Sequence, residues 1–302
     1  MNIMVLVNKS FEYPGYRAGV ESRITSGKLK DYSVLARDTS VGPQKQGPSC
    51  VYQVAGHIIR EFCINYLFPA DEDPAKPSVS SNSEKKLELL KTLIEKEKPD
   101  YIISVSTGES TPFDQDKYSD NNSVNGCVFI GTRFFACDCS EDDPDTESHL
   151  DIANCKWTPE SKPMCEKFYS LLEKADLSEG MIKVPNSPGS PLDIYAGDIF
   201  TSLGVINVMN YECYSKADQR TYLEFTKNNW VYIPVSLETT HAVVKMAAGE
   251  IPVLFVSPIV DRYESFSTDV EDSWGNQNLF SSYNAGVAVT NMLSYIAPYL
   301  KE

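Results

Sequence analysis

SEKKLELLKTLIEKEKPDYIISVSTGES, residues 83–110, holds a helix, its stop and a buried strand in one stretch, and that succession decides the fold class. Ser83 offers a hydroxyl to cap the first amides of a helix. From Glu84 to about Glu97, Leu87, Leu90, Leu93 and Ile94 recur at helical spacing, which leaves one apolar face and one charged face. Pro99 cannot continue the helix. Tyr101 to Val105 is then apolar at every position but Ser104, the pattern of a strand covered on both faces in a parallel sheet. The chain turns polar at once in Ser106-Thr107-Gly108-Glu109-Ser110.

Working outward, the same signals recur. Ile3 to Val7 is a buried strand, Cys127 to Gly131 another, and Ile194 to Phe200, Val205 to Met209, Trp230 to Val235 and Val253 to Ile259 are further strands. Cys50 to Leu67 carries Val51, Val54, Ala55, Ile58, Ile59 and Phe62 at helical spacing and is expected as a helix. Thr239 to Ala248 reads as a helix ended by Gly249, and Leu279 to Leu300 as a closing amphipathic helix. Strands alternating with helices indicate an α/β sheet with helices on both faces. The Pro- and Ser-rich segment near 69–83, the segment 111–124 and the acidic, Pro-rich stretch 138–191 read as insert loops on this core, the last with a helix near Pro163 to Ala175. The chain 1–302 is expected as one domain.

Composition narrows the function. Hydrophobic residues make up 42% of the 302, enough to bury a sizeable core. The 27 Lys and Arg against 42 Asp and Glu leave a formal charge of −15, which repels phosphate backbones and anionic lipid. Neither a nucleic-acid nor a membrane partner is expected; a small neutral or cationic ligand suits this surface better. Between Met1 and Ser10 the apolar run covers only Ile3 to Val7 before Lys9 closes it, too short for a secretory signal. No stretch approaches the roughly 20 apolar residues of a membrane span. A soluble, cytoplasmic protein is expected.

Eight cysteines (Cys50, Cys63, Cys127, Cys137, Cys139, Cys155, Cys165 and Cys213) are scattered through a long chain, unlike a small disulfide scaffold. Cys63 and Cys127 sit among apolar neighbours, as small core residues do. Cys137, Cys139, Cys155 and Cys165 with His149 offer zinc donors, but the paired C-x-x-C spacing of structural zinc is missing. Free thiols and no metal are expected.

In open α/β sheets ligands bind beyond the carboxyl ends of strands. Four such ends here are polar: Asn8 to Glu12, Ser104 to Ser110, Ser236-Leu237-Glu238-Thr239, and Asp261-Arg262. Carboxylates converging there suit acid/base chemistry, because their surroundings can separate their proton affinities. Each of them is equally well placed to cap a helix.

At these blocks the chain resembles the nucleoside phosphorylase superfamily, most closely the methylthioadenosine/S-adenosylhomocysteine nucleosidases. KPDYIISVSTG (Lys98 to Gly108) is similar to the family's central strand and Thr-Gly turn. NGCVFIGTRFFACD (Asn125 to Asp138) resembles its next strand and aromatic segment. YAGDIF (Tyr195 to Phe200) is similar to the Ser-Gly-Asp-x-Phe block that lays a ring against the base. SLETTHAVVKMA (Ser236 to Ala247) resembles the Met-Glu block beside the ribose, and PVLFVSPIVD (Pro252 to Asp261) the strand ending in Ser-Asp. The blocks cover roughly a quarter of the residues, and their order, rather than any one of them, carries the likeness.

The resemblance implies a three-layer αβα, phosphorylase-like fold with a mixed central sheet, no cofactor, and self-association into a homo-oligomer. It also implies roles. Asp261 would protonate the leaving purine near N7, and Glu12 would activate water. Glu238 would accept hydrogen bonds from the ribose 2′- and 3′-hydroxyls, beside Leu237. Phe200 would stack on the base; pattern alone favours a core residue, and the Gly-Asp-Ile-Phe context makes the two readings even. Thr107, Gly108 and Glu109 would line the water or phosphate end. The sequence departs from the family at Leu237, where Met is usual, at Val260, which replaces the Ser before the acid, and at Glu109, which replaces a small residue. Glu109 would repel a phosphate dianion, unless Arg17 or Arg23, in the loop after Glu12, offsets it. The leading reading is therefore a purine nucleosidase, with a 5′-substituted adenosine among its candidate substrates. The alternatives are a phosphorylase or a non-catalytic nucleoside-binding or storage protein of the same fold.

Overall fold

The computed structural model describes residues 1–27, 32–37, 47–68, 83–110, 125–131, 134–137, 176–185, 194–196, 199–202, 234–236, 240–262, 270 and 276–296. In chain order these form β1 (Asn2–Val7), α1 (Tyr13–Thr25), β2 (Tyr32–Arg37), β3 (Cys50–Val54), β4 (His57–Cys63), α2 (Ile64–Leu67), α3 (Ser83–Glu97) and β5 (Tyr101–Val105). There follow β6 (Gly108–Ser110), β7 (Val128–Gly131), β8 (Phe134–Cys137), β9 (Ile194–Ala196), β10 (Ile199–Ser202), β11 (Pro234–Ser236), α4 (Thr240–Ala248), β12 (Val253–Arg262) and α5 (Asn276–Ile296).

The sheet is mixed, as expected. Its centre is parallel: β4, β1, β5 and β12 lie side by side, with β3 and then β2 added antiparallel beyond β4. Strand β12 is where the sheet forks. Val253 to Val256 pair with β5, Phe255 to Pro258 pair antiparallel with β7, and Ile259 to Arg262 pair with β6. From β6 the second branch continues through β11 and β10 to β8, while β7 carries β9.

Alternation along the central strands builds two cores. Ile3, Val5 and Val7 face Tyr16 and Val20 of α1 and Ala285, Ala288, Val289 and Met292 of α5. Met4 and Leu6 face the other way, against Leu90, Leu93 and Ile94 of α3 and Val243 and Val244 of α4. Because side chains on a strand alternate between faces, consecutive apolar residues demand helices on both sides. The result is the three-layer αβα arrangement.

Several expectations change. Residues 13–25 are a helix, not a loop, and the reason is packing. Gly15 and Gly19 face α5, and Gly286 of α5 faces back; a Cβ at any of them would run into the backbone of Leu279, Tyr283 or Tyr16. The glycines that weaken the helical signal are thus the contact surface itself. Cys50 to Leu67 is a hairpin followed by one helical turn. Ala55 and Gly56 both take positive φ (46° and 82°), the geometry of a type I′ turn. Burial there runs with a period of two, through Cys50, Tyr52, Val54, His57 and Ile59. Ile194 to Phe200 is two strands with different neighbours, and Gly108 begins a strand where a turn was expected. Strand β12 runs on through Asp261 to Arg262. The helix near 163–175, the strand 205–209 and most of the insert segments (69–82, 111–124, 138–175 and 186–191) lie outside the described residues.

Candidate active site

The site is assembled from the ends of β1, β5 and β12. Strand β1 stops at Val7, and residues 8–11 turn the chain into α1. Asn8 stays attached to the sheet, its amide donating to Val105 O at 3.0 Å. Glu12 occupies the N-cap position of α1, yet its carboxylate does not cap that helix. It reaches across the sheet instead. Oε2 accepts from the amide of Lys9 at 2.9 Å, and Oε1 accepts from the amide and the hydroxyl of Thr107 at 3.1 and 2.7 Å. Glu12 is buried, and a buried carboxylate is tolerable only when donors replace the lost water. These three bonds join the end of β1 to the junction between β5 and β6.

Asp261 is brought to the same junction by register. It is 2% exposed and pairs across the strands with Glu109, while Ile259 pairs with Gly108. Val260 is the extra residue of a bulge, a device that re-aims neighbouring side chains. Helix α5 fixes this irregular stretch from behind. Gln277 Nε2 donates to Val260 O and Ser281 Oγ donates to Ile259 O, both at 2.8 Å.

The same register extends sideways. Glu109 pairs with Val235 of β11, and Val235 with Phe200 of β10. Asp261, Glu109 and Phe200 thus stand in one row across the second branch of the sheet. Thr107 is partly exposed and Gly108 buried. Leu237 and Glu238 lie outside the described residues, directly after β11. Arg17 and Arg23, expected in a loop beside Glu12, are on α1 and committed elsewhere. Arg17 Nη1 pairs with the buried Glu61 at 2.9 Å and its Nη2 with Glu21 at 2.6 Å; Arg23 donates from Nε to Asn291 at 2.7 Å.

Two buried polar residues near these strand ends escaped the sequence reading. Lys86 of α3 is 1% exposed, with Nζ 3.3 Å from Asn8 Oδ1. It falls on the apolar side of α3 one residue before Leu87, and a lysine there reads as solvated. His241, in the first turn of α4, is fully buried between two serines. Burial pushes its imidazole from the ordinary 6.5 down to about 3, so the ring is neutral at physiological pH. A polar residue directly before the apolar run Ala242 to Val244 was its signal. Among the described residues no three of His, Cys, Asp and Glu stand together as metal ligands, and no helix is long and apolar enough to cross a membrane. Cys50, Cys63 and Cys127 are buried; His149, Cys139, Cys155, Cys165 and Cys213 lie outside the described residues.

No family model and no curated protein matches this sequence. Solved structures do match. The 5′-methylthioadenosine nucleosidase of Arabidopsis thaliana aligns over 96% of this chain and 93% of its own, with a TM-score of 0.51 at 16% identity. The chain has the nucleosidase fold. A protein of Borrelia burgdorferi B31 described as a 5′-methylthioadenosine/S-adenosylhomocysteine nucleosidase, solved with adenine, gives a TM-score of 0.52 at 12% identity. That alignment covers 97% of this chain and 99% of the other. The corresponding nucleosidase of Campylobacter jejuni gives 0.50 at 13% identity over the same shares. In this fold Glu12 bonds Thr107 beyond the ends of β1 and β5, and Asp261 stands in register with Glu109 near the end of β12, the side of an open α/β sheet on which ligands bind.

Proposed function

We propose that the protein is a nucleosidase that hydrolyses the N-ribosidic bond of a purine nucleoside, with a 5′-substituted adenosine as the substrate class. The observation that carries this reading is the Glu12–Thr107 clamp beside the register pair of Asp261 and Glu109. It sets two buried acidic residues, from opposite ends of the chain, against one strand junction. The neighbours of like fold that cleave or bind adenine derivatives support the same substrate class.

In this mechanism the bond between ribose C1′ and the purine nitrogen breaks, and its electron pair leaves with the base. Asp261, protonated, donates its proton toward N7 and so neutralises the leaving group. Glu12 takes a proton from a water whose oxygen bonds to C1′. Glu238 accepts from the ribose hydroxyls, and Phe200 lies against the base. The products are the free sugar, still carrying any 5′ substituent, and the free purine. No cofactor or metal enters these steps. The protein acts in the cytoplasm as a homo-oligomer on this reading.

A phosphorylase is the second reading, and buried Lys86 is the observation that favours it, since a cation near the end of β1 suits an anionic nucleophile. Against it, Arg17 and Arg23 are held by Glu61, Glu21 and Asn291. Product analysis on a nucleoside panel decides between them. Free ribose, formed at a rate unchanged from zero to millimolar phosphate, is expected. Ribose 1-phosphate as the main product overturns hydrolysis, and no cleavage of any nucleoside overturns the enzyme reading.

A further inference from the structure

His241 is fully buried against the middle of the sheet. Its Nδ1 lies 2.8 Å from Ser104 Oγ of β5, and its Nε2 lies 2.8 Å from Ser257 Oγ of β12. All three residues are fully buried. The ring meets Phe255 edge-on, with centroids 5.3 Å apart. A neutral imidazole has one N–H and one lone pair, so one serine accepts from it and the other donates to it. The ring orientation and both hydroxyl directions are thereby fixed together.

Burying three polar groups is a poor way to fill a core, because a leucine between two alanines would exclude water without needing partners. What the hydrogen bonds add is direction. Apolar contacts let a short helix slide along a sheet, whereas two bonds of fixed geometry at one ring do not. Helix α4 has nine residues and rests on the sheet through Val243, Val244 and Ala248, so its placement depends on tertiary contacts rather than on its own stability.

The position of this brace along the chain gives it meaning. Thr107 lies three residues after Ser104, Asp261 four after Ser257, and Glu238 three before His241. Along the strands each serine thus stands about 10–13 Å behind a proposed site residue. We propose that His241 is a positioning residue: bonded to Ser104 and Ser257, it registers the start of α4, the helix that Leu237 and Glu238 precede in the sequence, against the strands that lead to Thr107 and Asp261. This rests on the nucleosidase reading above.

The test is kinetic and uses the full chain. In His241→Leu the two serine hydroxyls lose their partner, and stability falls. The triple variant Ser104→Ala/His241→Leu/Ser257→Ala removes all the polar groups together and regains that stability, because matched apolar replacement is close to neutral. With folding restored, kcat is expected to stay down by roughly 100-fold, the scale of a small misplacement of reacting groups. The preference for ribo- over 2′-deoxyribonucleosides is expected to shrink with it. His241→Gln, which can bond one serine, is expected to recover part of both. A triple variant with wild-type stability, kcat and ribose preference overturns the proposal. Should the triple variant not fold, Ser257→Ala alone is read for the same ratio, and an unchanged ratio likewise overturns it. Cleavage absent in the wild-type protein removes the nucleosidase reading and this inference with it; cleavage present but indifferent to the variants removes only the inference.

Discussion

Acidification from pH 7 to pH 5 should destabilise the fold through His241, and the size of the effect follows from its burial. In the unfolded chain the imidazole titrates at 6.5; in the fold, burial holds it at about 3. Between those values the unfolded state binds a proton that the folded state refuses, so stability falls as pH drops below 6.5 and has lost its full contribution by about 3. Above 6.5 both states are neutral and the ring contributes nothing to the pH dependence. The limiting slope is about 1.4 kcal/mol per pH unit. Over the interval from 7 to 5 this integrates to about 2 kcal/mol, with most carboxylates still ionised. Urea unfolding of wild type and His241→Gln at both pH values isolates the effect, because every other group is common to the two proteins. The wild type should lose about 2 kcal/mol more than the variant over this interval. Equal losses in the two would show that the ring is protonated in the fold or open to water, and would refute the buried Ser104–His241–Ser257 arrangement.

Asp261→Asn keeps the size of the side chain and removes the proton donor; it should abolish base release while stability changes by less than about 1 kcal/mol, and near-wild-type turnover would exclude Asp261 from the mechanism. If Glu238 grips the ribose diol, 2′-deoxynucleosides should lose roughly 1.5–3 kcal/mol in kcat/KM, and equal rates on both sugars would refute that role. Thr107→Val deletes the 2.7 Å bond to Glu12 and should cost about 1.5–3 kcal/mol in urea unfolding, together with a fall in hydrolysis. Loss of stability without loss of hydrolysis would make the clamp purely structural. Gly19→Ala forces a methyl into the backbone of Tyr283 and should destabilise by about 1–3 kcal/mol, whereas a neutral result would mean that α1 and α5 do not touch there.

The central strands and the two-sided sheet are legible in the residues alone. Ile3 to Val7 is apolar without interruption, and Tyr101 to Val105 and Val253 to Ile259 are apolar but for Ser104, Ser257 and Pro258; such runs are stable only under cover on both faces. The alternation of Ile3, Val5 and Val7 with Met4 and Leu6 between two cores is the direct consequence. Local signals also placed α3 and α4, where a cap, an apolar stripe and a terminating Pro99 or Gly249 agree. They failed where the contact that stabilises an element lies far away in the chain. Gly15 and Gly19 look like helix breakers until the backbone of α5 at Leu279 and Tyr283 approaches them. Val51 to Phe62 fits a helical period until the Ala55-Gly56 turn and the neighbouring β1 select a hairpin. The carboxylates at the strand ends were legible as residue types, but not their arrangement. Only the tertiary structure decided that Glu12 turns away from its own helix to Thr107, that β12 continues through Asp261 into register with Glu109, and that His241 sits between two strands. Each of these is a hydrogen bond or pairing between residues tens to more than a hundred positions apart, and the direction of such a bond is set by the packed backbone rather than by neighbouring side chains.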